Sequence, residues 1–80
     1  MKPRLKWGSI GNSGRYARLF GFELNVEQGL GGFRSRWSEP QGHWQIISTD
    51  HDTEEAAQLA AEAHLRGVLK AALAELGEES

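Results

Sequence analysis

The chain has no cysteine, so disulfide staples and thiolate metal sites are excluded, and the composition fits a reducing compartment. It has only two prolines, one methionine and one tyrosine. No apolar run approaches the roughly 18 residues needed to span a bilayer. The first residues, Met1 to Lys6, are basic but are not followed by an apolar segment, so they do not read as a secretory signal. A cytoplasmic location is the expectation. No catalytic signature is found either. The serines Ser9, Ser13, Ser35, Ser38 and Ser48 lack a Gly-x-Ser-x-Gly setting. The histidines His43, His51 and His64 show neither HxH nor HExxH spacing. The glycine-rich stretches at 11–14 and 29–32 are not phosphate loops, because no helix follows them to hold an anion at its N-terminus. No enzyme activity, cofactor or metal is expected.

Eighty residues make one domain, here 1–80. A domain of this size buries only about 60% of its unfolded surface, so its core is thin. Ten glycines for this length point to several tight turns. The net charge of −2 hides an asymmetry: residues 1–49 carry +4 and residues 50–80 carry −6. Such a division speaks to partners more than to fold.

Residues 1–49 read as four to five short strands separated by turns. Expected strands cover 4–10, 15–20, 22–27, 33–38 and 43–49, with turns at Gly11 to Gly14, Gly29 to Gly32 and Glu39 to Gly42. Phe22, Leu24 and Val26 alternate with Glu23, Asn25 and Glu27, the period of a half-buried antiparallel strand. Phe33 and Trp37 likewise oppose Arg34 and Arg36. In the last strand Trp44 and Ile46 are expected to face inward, and all three tryptophans are assigned to the core. The outer face is expected to gather Arg34, Arg36, Glu23, Glu27, Gln45 and Arg18.

Residues 50–77 read as one helix, with 78–80 as a frayed tail. Asp52 and Glu55 form the expected capping box, and Gly77 the stop. Between them lies a proline-free run rich in Ala, Leu and Glu. A helix over 53–76 would be about 36 Å long against about 20 Å for a six-residue strand, so it should overhang the sheet or bend. Ala56, Leu59, Ala60, Ala63 and Gly67 form one stripe, expected on the sheet. Leu65, Leu69, Ala72 and Leu76 form a second stripe with the 4-3-4 spacing of a coiled-coil seam. A change of face near Gly67 is therefore expected. The fold class is α+β: an antiparallel meander followed by one long C-terminal α-helix packed on one face.

Three surfaces offer contacts. Arg15, Arg18, Arg34 and Arg36 make a basic, aromatic sheet suited to nucleic acid, although there is no ribonucleoprotein aromatic signature. Glu54, Glu55 and Glu62 make an acidic helix face. Leu65, Leu69 and Leu76 make a seam for a protein partner or a homodimer.

Trp7, Tyr16-Ala17, Gly21-Phe22 with Leu24, Gly42-His43-Trp44 and the run from Thr53 to Leu65 resemble small accessory proteins of bacteriophages and prophages, in which a sheet is backed by an alanine- and glutamate-rich helix. Size and composition also resemble anti-CRISPR proteins, especially inhibitors of type I surveillance complexes. The resemblance implies a non-enzymatic inhibitor in the host bacterial cell that covers a surface the complex uses for target DNA. Its acidic helix residues would pair with nucleic-acid-binding Arg/Lys clusters, or Arg34 and Arg36 would meet an acidic patch or the guide RNA backbone. The alternatives are a small nucleic-acid-binding regulator and a homodimeric structural protein.

Overall fold

A computed structural model describes residues 2–11 and 14–77. The expected turn residues Asn12 and Ser13 and the expected tail at 78–80 lie outside the described residues. The elements are β1 (Gly8–Ile10), β2 (Gly14–Leu19), β3 (Phe22–Gln28), β4 (Phe33–Ser38), β5 (Gln45–His51) and α1 (Glu54–Glu75). The strands form one antiparallel sheet in the order β1-β2-β3-β4-β5, with α1 packed on one face. The fold is α+β, as the sequence pattern leads one to expect. None of the described helical residues forms a segment long and apolar enough to cross a membrane.

The core lies between the helix-side face of the sheet and α1. Ala17, Leu24 and Trp37 meet Ala61 and Leu65, with Val26 and Ala57 also buried. Ala57 and Ala61 are small enough to let the helix backbone approach the sheet closely. Trp37 fills the remaining space, stacked on Phe22 at 6.2 Å and edge-on to His64 at 4.6 Å.

Three expectations need correction. First, residues 4–7 are not strand: β1 has only three residues, and the preceding segment crosses onto the helix. Second, the helix buries Ala57, Gln58, Ala61, Glu62 and Leu65, a stripe turned by one residue from the expected one, while Ala63 is exposed. Val68 and Leu69 continue that stripe into the core, so no change of face occurs at Gly67 and α1 runs through it unbroken. The cap is Thr53 and not Asp52, with Thr53 Oγ1 accepting from Ala56 N at 3.1 Å. Third, Trp44 and Ile46 point away from the helix. Arg36 stands opposite Ile46 and Trp37 opposite Gln45, so β4 assigns Ile46 to the outer face and Gln45 to the helix side. Ile47 is the residue of this strand that packs on the core.

β5 departs from regular pairing at two places. Near its end Asp50 has φ 63°, and Gly32 crosses beside it at φ 141°. A Cβ on Gly32 would lie 2.6 Å from the His51 carbonyl oxygen, so only glycine fits there. The β2–β3 hairpin closes on two residues, Phe20 (φ 53°) and Gly21 (φ 85°), the positive-φ pair of a type I′ turn. Asn is the favoured residue at the first position, whereas Phe20 is 79% exposed and held in a conformation costly for an aromatic residue. Phe20→Asn should therefore raise stability by about 1 kcal/mol, a thermal midpoint gain of about 4–8 °C. An unchanged or lower midpoint would show that Phe20 makes compensating contacts in the folded chain.

Candidate functional site

The helix covers one face of the sheet and leaves the other open. Antiparallel register builds a row across that open face through all five strands: Gly8, Tyr16, Asn25, Arg36 and Ile46. The Tyr16 ring lies close over Gly8, where a Cβ would come within 2.9 Å of it. Asn25, buried at the centre, accepts from Arg36 Nη2 at 3.1 Å and donates to the Arg15 carbonyl at 3.4 Å. The Arg36 guanidinium also lies 5.4 Å from the Trp44 ring centroid, a cation–π contact that orients the indole.

Charged residues flank this row in matched pairs. Arg18 Nε is 3.0 Å from Glu23 Oε1. Arg34 bonds Glu27, which also lies 3.7 Å from Arg36 Nε. The face thus carries three arginines against two glutamates, each already engaged. Between Trp44 and Tyr16 runs a groove of about 240 Å³, lined by Ile10, Tyr16, Arg18, Glu23, Asn25 and Trp44. Trp44 is 45% and Ile46 58% exposed, so large apolar side chains sit on a surface whose charged groups are already engaged with one another.

The expected basic cluster is therefore only partly assembled. Arg18, Arg34 and Arg36 share the open face, but Arg15 stands opposite Val26 on the helix side and pairs with Glu54 at 3.1 Å. The expected acidic face does not form. Glu54 is held by Arg15, and Glu62 is buried at 5% exposure, leaving Glu55 exposed alone. Of the expected seam, Leu65 is core, Leu69 is half-buried and Leu76 is exposed.

Glu62 performs a different task. Its carboxylate accepts from Arg4 N (2.9 and 3.0 Å), Leu5 N (2.9 Å) and the Trp7 indole Nε1 (2.8 Å). Burial alone would raise its pKa. The backbone bonds from Arg4 and Leu5, the Trp7 indole and the nearby Arg66 charge outweigh that and hold it below the ordinary 4.5. A further polar chain runs from Ser35 Oγ to Ser48 Oγ (2.9 Å) to His51 Nε2 (2.6 Å). Among the described residues no hydrogen bond joins His51 to a carboxylate, and no group of three metal-ligating side chains comes together. Comparisons with protein-family models, curated proteins and solved structures find no match for this chain.

The sequence pattern overlooks Trp44, Ile46 and Ile10 as surface residues. The only local signal is the turn at Gly42, which places Trp44 at a strand entrance where neither face is yet imposed. The Glu62 contacts are non-local and leave no sequence trace.

Glu62 supports a pH prediction. With its folded-state pKa lowered, its contribution is full above about pH 4.5 and disappears as pH falls through the folded value. Denaturant unfolding from about pH 6 to about pH 3 should show stability falling through this range. Glu62→Gln should lose about 1.5–3 kcal/mol near neutral pH and flatten that part of the profile. A profile of unchanged slope would place the acid sensitivity on other carboxylates.

Proposed function

We propose that this chain is a non-enzymatic binding module that engages a protein partner through its open sheet face. The observation that carries the reading is the exposed Trp44, clamped by Arg36 and facing Tyr16 across the groove. Trp, Tyr and Arg are the residue types that dominate interface energetics, most of all when a scaffold holds them in place and little ordering is needed on binding. The charged side chains around them are already ion-paired or hydrogen-bonded to neighbours within the face, so the partner need bring no strong field of one sign.

The resemblance to phage accessory and anti-CRISPR proteins extends the proposal: the partner is a type I surveillance complex, and occupation of its surface blocks target DNA. Small size and a preformed contact face support that extension. The acidic-mimic version loses its basis, because Glu54 and Glu62 are engaged inside the molecule. Contact therefore runs through Trp44 and Tyr16.

The test is target-DNA binding by a purified type I complex titrated with this protein. Inhibition by the wild-type chain is expected, with Trp44→Ala weakening it by about 2 kcal/mol, roughly 30-fold. Full DNA binding at saturating protein would discard the CRISPR reading. The broader reading is tested by affinity capture from a candidate host lysate: a partner held by wild type should be lost with Trp44→Ala or Ile46→Glu. A partner retained equally by both variants would contradict it.

One observation favours a second reading. Trp44 and Tyr16 present rings on a sheet that also carries Arg18 and Arg36, a stacking platform for single-stranded nucleic acid. Mobility shifts at low and high salt decide this. Salt-sensitive retardation would support it, and none at low salt would remove it.

A further inference from the structure

Every arginine of the sheet has a carboxylate partner. Arg15 pairs with Glu54, Arg18 with Glu23, and Arg34 and Arg36 with Glu27. The helix side differs. Among the described residues no ion pair reaches Lys2, Arg4 or Arg66, yet all three line one cavity of about 220 Å³ with Leu59, Glu62 and Ala63. Glu62 is the only carboxylate in that lining. Its oxygens are taken by the Arg4 and Leu5 N–H groups and the Trp7 indole. The cavity therefore gathers three unpaired cations beside one carboxylate that is already engaged.

A second cavity adjoins the first. A groove of about 180 Å³ shares Arg4, Glu62 and Arg66 with it and adds Leu5, Leu19, Leu65 and Leu69. Leu65 is buried, whereas Leu5, Leu19 and Leu69 are half-buried. The groove lies where the helix begins to leave the sheet: from Lys70 onward every described residue is exposed. The N–H groups of Arg4 and Leu5, two of the lining residues, are spent on Glu62. A peptide laid there would find neither donor for its carbonyl oxygens, whereas an alkyl chain needs none.

We propose that the two cavities form one site for a small amphipathic anion, a medium-chain fatty-acid carboxylate. The carboxylate lies among Lys2, Arg4 and Arg66, and the chain runs along Leu5, Leu19 and Leu69. Charge complementarity selects the head group, because guanidinium groups bind carboxylates through charge-assisted hydrogen bonds. The leucines select an apolar tail on one side of it only. Taken together, the cavities reach the scale of small-ligand sites, about 300–1,000 Å³. The site is on the helix side of the sheet, away from Trp44, and stands independently of the function proposed above.

The test is an NMR titration of the full chain with octanoate, kept below its micelle concentration. Saturable shifts are expected at Arg4, Leu5, Leu19, Arg66 and Leu69. Octanoate should bind about tenfold tighter than hexanoate, because two more methylenes enter the groove. Octanol, with the same chain and no charge, should bind about tenfold weaker than octanoate. Arg4→Gln/Arg66→Gln should also lose about tenfold, with an unchanged circular dichroism spectrum, because both side chains are exposed. Arg34→Gln, on the open sheet face, should bind as wild type does. Equal binding of octanol and octanoate overturns the proposal, as do shifts centred on Trp44. Absence of saturable shifts overturns it too, even where vesicles of anionic phospholipid bind the chain, since the surface would then be a membrane contact.

Discussion

The Glu62 carboxylate ties the N-terminal segment to the helix. A helix is about 10 Å wide, while five strands spaced about 4.8 Å apart span about 19 Å between the outer two. The helix packs against β3, β4 and β5, leaving the β2 side of the core short of cover. The segment before β1 supplies it, bringing Leu5 beside Leu19 and Leu65 and packing Trp7 on the same core. That segment lacks strand pairing, so its backbone N–H groups need acceptors where water is scarce. Glu62 provides them and takes the Trp7 indole as well. A charged residue in the buried stripe of the helix is thus the condition for closing a core this small.

With helix and N-terminal segment both committed to one face, nothing in the described chain is left to cover the other. The open face meets this by pairing its charged and polar groups with one another. Asn25 and Arg36 bond across β3 and β4, and Glu23 and Glu27 engage Arg18 and Arg34. The large exposed side chains outside those pairs are apolar or aromatic: Ile10, Tyr16, Trp44 and Ile46. A surface of this kind is suited to recognition by shape and burial more than by long-range charge. That is why the functional proposal rests on Trp44 and not on the uneven charge of the two halves of the sequence.

How legible this was varied with the kind of signal. Alternation from Phe22 to Glu27 and from Phe33 to Ser38 made β3 and β4 readable, and the glycine turns gave their order. The alanine- and leucine-rich run made the helix and its overhang readable. Periodicity, however, separates two faces without saying which is inner. In β5 the choice falls to Arg36 and Trp37 on the neighbouring strand, so alternation alone puts Trp44 and Ile46 on the wrong side. In the helix, alanines on every side left two stripes of similar quality, and the buried one includes Gln58 and Glu62, which no hydropathy pattern would select. Glu62, Arg15 and Glu54 are charged residues whose partners lie far away in sequence, so they read as surface.

The central claim is that Glu62 seals the N-terminal segment to the helix while Trp44 stays on the uncovered face. Hydrogen exchange of the indole N–H protons, followed by NMR at neutral pH, addresses both halves at once. The account predicts slow exchange for Trp7 Nε1–H together with the Arg4 and Leu5 amides, and fast exchange for Trp44. Rapid exchange at Trp7 with protection at Trp44 would contradict it.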